Sequence, residues 1–197
     1  MMRYRSYGDD GIVPVVAIIV VCFALYLATV IAGFFGHNLI DYLGMRPASL
    51  LSEPWTIFTS LFMHGGIWHL LANMLTLYFF GTFLHRLVGT GTFLLIYFVG
   101  GIVGNILFIF LGPSYATVIG ASGAIFALGG TLAVLTPMSR VYIFPIPVPV
   151  PLWVAVVGGF LILSFAPNIA WQGHLGGLVT GVIAGFILRR RRRFVIF

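Results

Sequence analysis

Gly120-Ala121-Ser122-Gly123-Ala124-Ile125-Phe126-Ala127-Leu128-Gly129-Gly130 is a run of small and apolar residues with a single hydroxyl in it. No bulky side chain flanks Ser122, so its Oγ is open to close approach by another helix or by a peptide backbone. Small-residue clusters of this kind bring helices together in membranes, and a lone serine there ordinarily bonds its own backbone. The stretch therefore carries two readings, a packing surface and a nucleophile. Coiled as a helix, it sets Gly123, Ala127 and Gly130 on one face, ready for a second helix with a similarly small face.

The rest of the chain decides where that helix sits. Of 197 residues, 60% are hydrophobic and 7% charged. A soluble domain of this size cannot hide so much apolar surface, so the fold class is all-α integral membrane. Cys22 is the only cysteine, which excludes an internal disulfide framework. The net charge is +6, but five of the ten basic residues are the run Arg189–Arg193 and not a stripe, so nucleic acid is not an expected partner. The first apolar run, from Ile12 to about Phe35, is too long for a signal-peptide core and reads as a retained span.

Hydropathy and helix breakers predict six spans, at about 12–34, 68–84, 92–111, 122–135, 152–165 and 171–188. The turn His85–Gly91 ends the second, Gly112-Pro113-Ser114 the third and Thr136-Pro137 the fourth. Residues 36–68 carry Trp55, Trp68, Arg46, Asp41 and Glu53 among apolar pieces. They predict a partly structured loop in the membrane interface. Prolines 145, 147, 149 and 151 predict an extended connection. The expected organisation is a cytoplasmic tail (1–11), a membrane domain (12–188) and a basic cytoplasmic tail (189–197). With six spans, Arg3, Arg5, Arg86, Arg140 and Arg189–Arg193 fall on one side and only Arg46 on the other. That pattern places both termini in the cytoplasm of a multi-pass cell-membrane protein, with Ser122 in the outer half. The arginine run serves topology and can meet anionic membrane lipid.

Ionisable groups at membrane depth are functional candidates. His174 opens the sixth span at the depth of Ser122, and His174, Gly177 and Gly181 share a face. If that face meets Gly123, Ala127 and Gly130, Ser122 and His174 form the nucleophile–base pair of an activated serine; otherwise His174 is polar glue between two helices. His69 and Asn73 stand at i and i+4 on the second span. They are either oxyanion donors, with the Ser122 backbone N–H, or a polar pair satisfying each other. The four acids, Asp9, Asp10, Asp41 and Glu53, all lie outside the spans. This excludes an embedded aspartyl dyad and a full Ser-His-Asp triad. H-E-x-x-H is absent, which excludes that zinc-protease motif, and no metal or other cofactor is called for.

Gly120-Ala121-Ser122-Gly123 resembles the G-x-S-G of the rhomboid intramembrane serine proteases. His174-x-x-Gly177-x-x-x-Gly181 resembles that family's second signature, His69-x-x-x-Asn73 its H-x-x-x-N, and His64 precedes His69 by five residues as there. The resemblance spans about residues 12–188 and implies a six-helix rhomboid-like bundle cutting single-pass transmembrane substrates near the outer leaflet. It implies Ser122 as nucleophile, His174 as general base, and His69, Asn73 and the Ser122 backbone as the oxyanion site. It further implies His64 as an auxiliary polar residue, and the fifth helix with the cap Ala166–Gln172 as a lateral gate. Gly120, Gly123, Gly177 and Gly181 are the packing glycines of the site. Two positions depart from the family pattern: Thr56 stands where Arg often follows Trp, and His85 where Glu often ends the second helix. An inactive rhomboid-like binder of transmembrane helices is the alternative. A channel or transporter wants polar residues in both membrane halves, and the inner halves here nearly lack them.

Overall fold

The computed structural model describes residues 12–142, 148–167 and 169–191. The predicted N-terminal tail 1–11, Pro145 and Pro147 of the proline run, Asn168 of the cap, and residues 192–197 of the basic tail lie outside them.

Among the described residues, four helices are long and apolar enough to cross a membrane: α1 (Val13–Phe34), α4 (Ile67–Val88), α5 (Thr90–Leu111) and α8 (Trp171–Arg191). Two shorter apolar helices join them, α6 (Ser122–Leu135) and α7 (Leu152–Ser164). The breaks follow backbone chemistry. Pro14 opens α1, Gly112-Pro113 follows α5, Thr136-Pro137 follows α6 and Pro151 precedes α7.

Three expectations are corrected. His85–Val88 do not form a turn but complete α4, and only Gly89 breaks the chain, at φ 84°. His85 Nε2 lies 2.8 Å from Thr90 Oγ1, tying the end of α4 to the start of α5. The last helix runs to Arg191, into the basic run, because arginine is a good helix former and suits the negative helix end. Of the 136–151 connection, 136–138 turn rather than extend, and Arg140–Val141 pair with Val150–Pro151 in a two-residue antiparallel ribbon.

Residues 36–66 hold α2 (Leu39–Leu43), a 3-10 turn Pro47–Ser49, α3 (Thr56–Thr59) and a 3-10 turn Ser60–Phe62. This loop is bound to the segment ahead of α6. Met45 and Val118 exchange backbone bonds of 3.0 and 2.7 Å, and the Gly120 N–H donates to Ser60 O at 2.9 Å.

The short helix α6 is the centre of the domain. It packs most extensively on α8, then on α5, with α4 and α7 also against it; α1 rests chiefly on α4. Its small residues explain the position, since only a thin helix can have neighbours on nearly every side. Gly100 of α5 has no room for a Cβ beside Ala127, and Gly177 and Gly181 of α8 have none beside Gly123 O and Ala127 O. Thr131 Oγ1 bonds both Ala127 O and Gly181 O at 2.9 Å, pinning α6 to α8 below the glycines.

Candidate active site

Ser122 is the first residue of α6, so its backbone N–H has no intrahelical acceptor and lies at the positive end of the helix. His174 lies in the first turn of α8. The glycine seam sets both helix starts at one level, and His174 Nε2 is 2.8 Å from Ser122 Oγ. His174 is 6% exposed and its Nδ1 has no hydrogen-bond partner among the described residues. Phe126, one turn into α6, packs its ring against His174, 4.7 Å away at 37°. The described acids are far from this geometry in role: Asp41 pairs with Arg46 at 3.8 Å, and Glu53 accepts from Ser49 Oγ.

His69 closes one wall. Gly120 stands at φ +119°, and a Cβ built on it would lie 2.9 Å from both Cε1 and Nε2 of His69. The left-handed glycine thus lets the ring lie against the chain two residues before Ser122. A cavity of about 450 Å³ opens here, lined by Ser122, His174, His69, Asn105 and the extended segment 117–120, with Gly101, Gly104, Gly123 and Gly173 as its small-residue floor.

Of the predicted site residues, Ser122, His174, His69, Gly120 and Gly123 therefore share one cavity. Gly177 and Gly181 lie along the α6–α8 seam. Asn73 and His64 do not line it. Asn73 is buried one turn along α4, its Nδ2 donating to His69 O at 2.8 Å, which leaves the amide one further N–H. His64 stands behind His69, ring edge to face at 5.1 Å. Its Nδ1 donates to Phe62 O at 3.2 Å, and its buried Nε2 has no partner among the described residues. Burial foremost, and His69 beside it, push the His64 imidazole down to about 4, with the Phe62 bond opposing.

Three residues of the site were not singled out by sequence. Phe126 carried a usable signal, since it falls at i+4 from Ser122. Asn105 stood out as an amide in an apolar span. Gln172 donates from Nε2 to Leu111 O at 3.2 Å, joining the start of α8 to the end of α5.

A serine hydroxyl bonded to a histidine in a cavity among apolar, membrane-length helices marks a multi-pass membrane protein with a candidate nucleophile at its core. The family model described as Rhomboid domain matches residues 51–191, and the chain belongs to the rhomboid family. It is 37% identical over 149 residues to the rhomboid protease GluP of Bacillus subtilis, covering 74% of this chain and 28% of that protein. With the mitochondrial Rhomboid protein 1 of Saccharomyces cerevisiae it shares 32% over 149 residues, covering 68% and 42%. With YdcA of Bacillus subtilis it shares 30% over 185 residues, covering 89% and 92%. The chain thus spans less than half the length of GluP and of the yeast protein.

Proposed function

We propose that the chain is an intramembrane serine endopeptidase that hydrolyses single-pass transmembrane substrates near the outer leaflet. The observation that carries the reading is the 2.8 Å approach of His174 Nε2 to Ser122 Oγ inside a cavity of the membrane domain. With Nε2 as acceptor, neutral His174 takes the Ser122 proton as Oγ attacks the scissile carbonyl, and returns it to the leaving amine. The resulting acyl-enzyme is released by water. The Ser122 backbone N–H and His69 serve the oxyanion, and the remaining N–H of Asn73 joins them when its amide turns into the cavity that it does not line in this structure. A substrate helix has to unwind first, because its carbonyls are shielded by their own hydrogen bonds. In this reading α6 and α7 also cross the membrane, giving six spans with both termini cytoplasmic. The 36–66 loop then lies in the outer interface, and α7 with the cap beside it gates lateral access.

The test is incubation of the purified protein in detergent with a designed single-pass substrate, wild type beside Ser122→Ala and His174→Ala. Cleavage by the wild type alone is the expected result. Substrate retained but uncut by all three would identify an inactive binder and overturn the reading. Fluorophosphonate labelling that persists in Ser122→Ala would overturn the nucleophile assignment.

A further inference from the structure

Asn105 has no part in the proton transfer, yet it is 4% exposed and lines the cavity. Its position on α5 is fixed from below, because a Cβ on the preceding Gly104 would lie 2.5 Å from Gly173 O at the start of α8. Asn105 Nδ2 spends both hydrogens on the loop, donating to Ile57 O and to Ser60 Oγ, each at 2.8 Å. Ser60 is 1% exposed, and its carbonyl accepts the Gly120 N–H at 2.9 Å. Gly120 is the left-handed residue that packs on His69 and precedes Ser122 by two. One path of hydrogen bonds therefore runs from α5 through Ser60 to the backbone that delivers both Ser122 and the His69 wall.

We propose that Asn105 is a positioning residue for this site. By holding the Ile57–Ser60 turn it fixes the Ser60 carbonyl, and through that carbonyl the Gly120 conformation that sets Ser122 against His69 and His174. The inference rests on the reading of Ser122 as nucleophile for its effect on rate, but not for its effect on the Gly120 backbone. A residue that merely satisfied loop carbonyls would change stability and leave the geometry at Ser122 alone.

Asn105→Asp keeps the shape and removes both N–H donors; Asn105→Ser keeps one short donor. Ser60→Ala removes the hydroxyl acceptor and leaves the Ser60 carbonyl. Two readouts are taken on the folded fraction of each variant in detergent: hydrogen exchange of the Gly120 amide, and the rate of fluorophosphonate labelling at Ser122. For Asn105→Asp, faster Gly120 exchange and labelling slowed on the order of tenfold are expected, since small misplacements of reacting groups carry losses of this size or larger. Asn105→Ser and Ser60→Ala should fall between it and the wild type. In substrate cleavage the loss should appear in kcat with KM nearly unchanged. Wild-type Gly120 exchange in Asn105→Asp overturns the proposal, as does accelerated exchange with labelling unchanged. If Asn105→Asp does not fold, Ser60→Ala decides by the same two criteria. If the wild type itself is not labelled, the nucleophile reading fails, and Gly120 exchange still decides whether Asn105 holds that segment.

Discussion

Gly177→Ala adds one methyl group at the α6–α8 seam, three residues after His174 and against the residue that follows Ser122. A Cβ there meets Gly123 O, with the Gly123 carbonyl carbon at 2.7 Å and Cα at 3.2 Å. All three are backbone atoms, so no rotamer change on α6 relieves the contact and the helices have to separate. Ordinary contact begins at 3.4 Å, so the carbonyl carbon alone requires 3.4 − 2.7, or about 0.7 Å, of movement, and the nearer oxygen requires more. Added to the 2.8 Å between Ser122 Oγ and His174 Nε2, that displacement gives about 3.5 Å, the outer limit of a hydrogen bond.

Two losses follow. Overpacking of this kind costs about 1–3 kcal/mol of stability. Misplacement of reacting groups by roughly an ångström costs on the order of a hundredfold in rate. The assay is cleavage of a single-pass substrate in proteoliposomes, with thermal unfolding and fluorophosphonate labelling of the same preparation. Gly33→Ala in α1 is the control, because nothing lies within 4 Å of a Cβ there. It should cleave and unfold as the wild type does. Gly177→Ala with wild-type cleavage and melting would refute the idea that backbone contact sets the Ser122–His174 distance. A lowered melting temperature with unchanged kcat per folded molecule would confine the glycine to stability.

Gly120→Ala forces a side chain onto a backbone at φ +119° and onto the His69 ring at 2.9 Å. It should cost about 1–3 kcal/mol and most of the Ser122 labelling, read by melting and by probe kinetics. Phe126→Leu removes the ring against His174; an aromatic contact worth about 1 kcal/mol corresponds to a roughly fivefold fall in kcat, with KM unchanged in substrate titrations. His64 gives a pH signature. Its folded value of about 4 lies below its ordinary 6.5, so above 6.5 both states are neutral and it adds no pH dependence. As pH falls from 6.5 towards 4, the unfolded chain takes up a proton that the folded chain refuses, and stability drops. His64→Gln should flatten the melting temperature over that window, and an unchanged slope would refute the assignment.

Hydropathy and punctuation were enough to find the six apolar helices, because length, glycine and proline act locally. The level shared by Ser122 and His174 was also legible, since glycine spacing on two helices encodes which faces can meet. Phe126 was legible only through its i+4 spacing from Ser122, since one of nineteen phenylalanines in an apolar chain carries no other mark that distinguishes a ring on a histidine from a ring in lipid. The end of α4 was misread because Gly89-Thr90-Gly91 looks like a broad break. The helix nevertheless continues to Val88, where His85 meets Thr90 across Gly89. Asn105 is conspicuous as an amide in an apolar span, but its role is illegible, since its partners lie 48 and 45 residues away in a loop without periodicity.

That loop shows how the chain manages without the arginine and glutamate common at positions 56 and 85. Thr56 is fully buried and donates to Glu53 O at 2.6 Å, and Trp55 Nε1 donates to Tyr42 O at 3.0 Å. His85 meets a hydroxyl. These are local bonds to neutral acceptors, which avoid the desolvation cost of a buried charge. The ion pair Asp41–Arg46 is exposed and worth little by itself. Arg46 matters more through Nε and Nη2, each 3.2 Å from Thr117 Oγ1. Together with the Met45–Val118 bridge and the Ser60–Gly120 bond, it fastens the loop three times to residues 117–120. All three fastenings fall on the few residues ahead of Ser122, where α6 has not yet begun and its own hydrogen bonds cannot hold the chain. The loop therefore supplies the rigidity that the start of a fourteen-residue helix lacks, and a serine at that start is held as firmly as the histidine facing it.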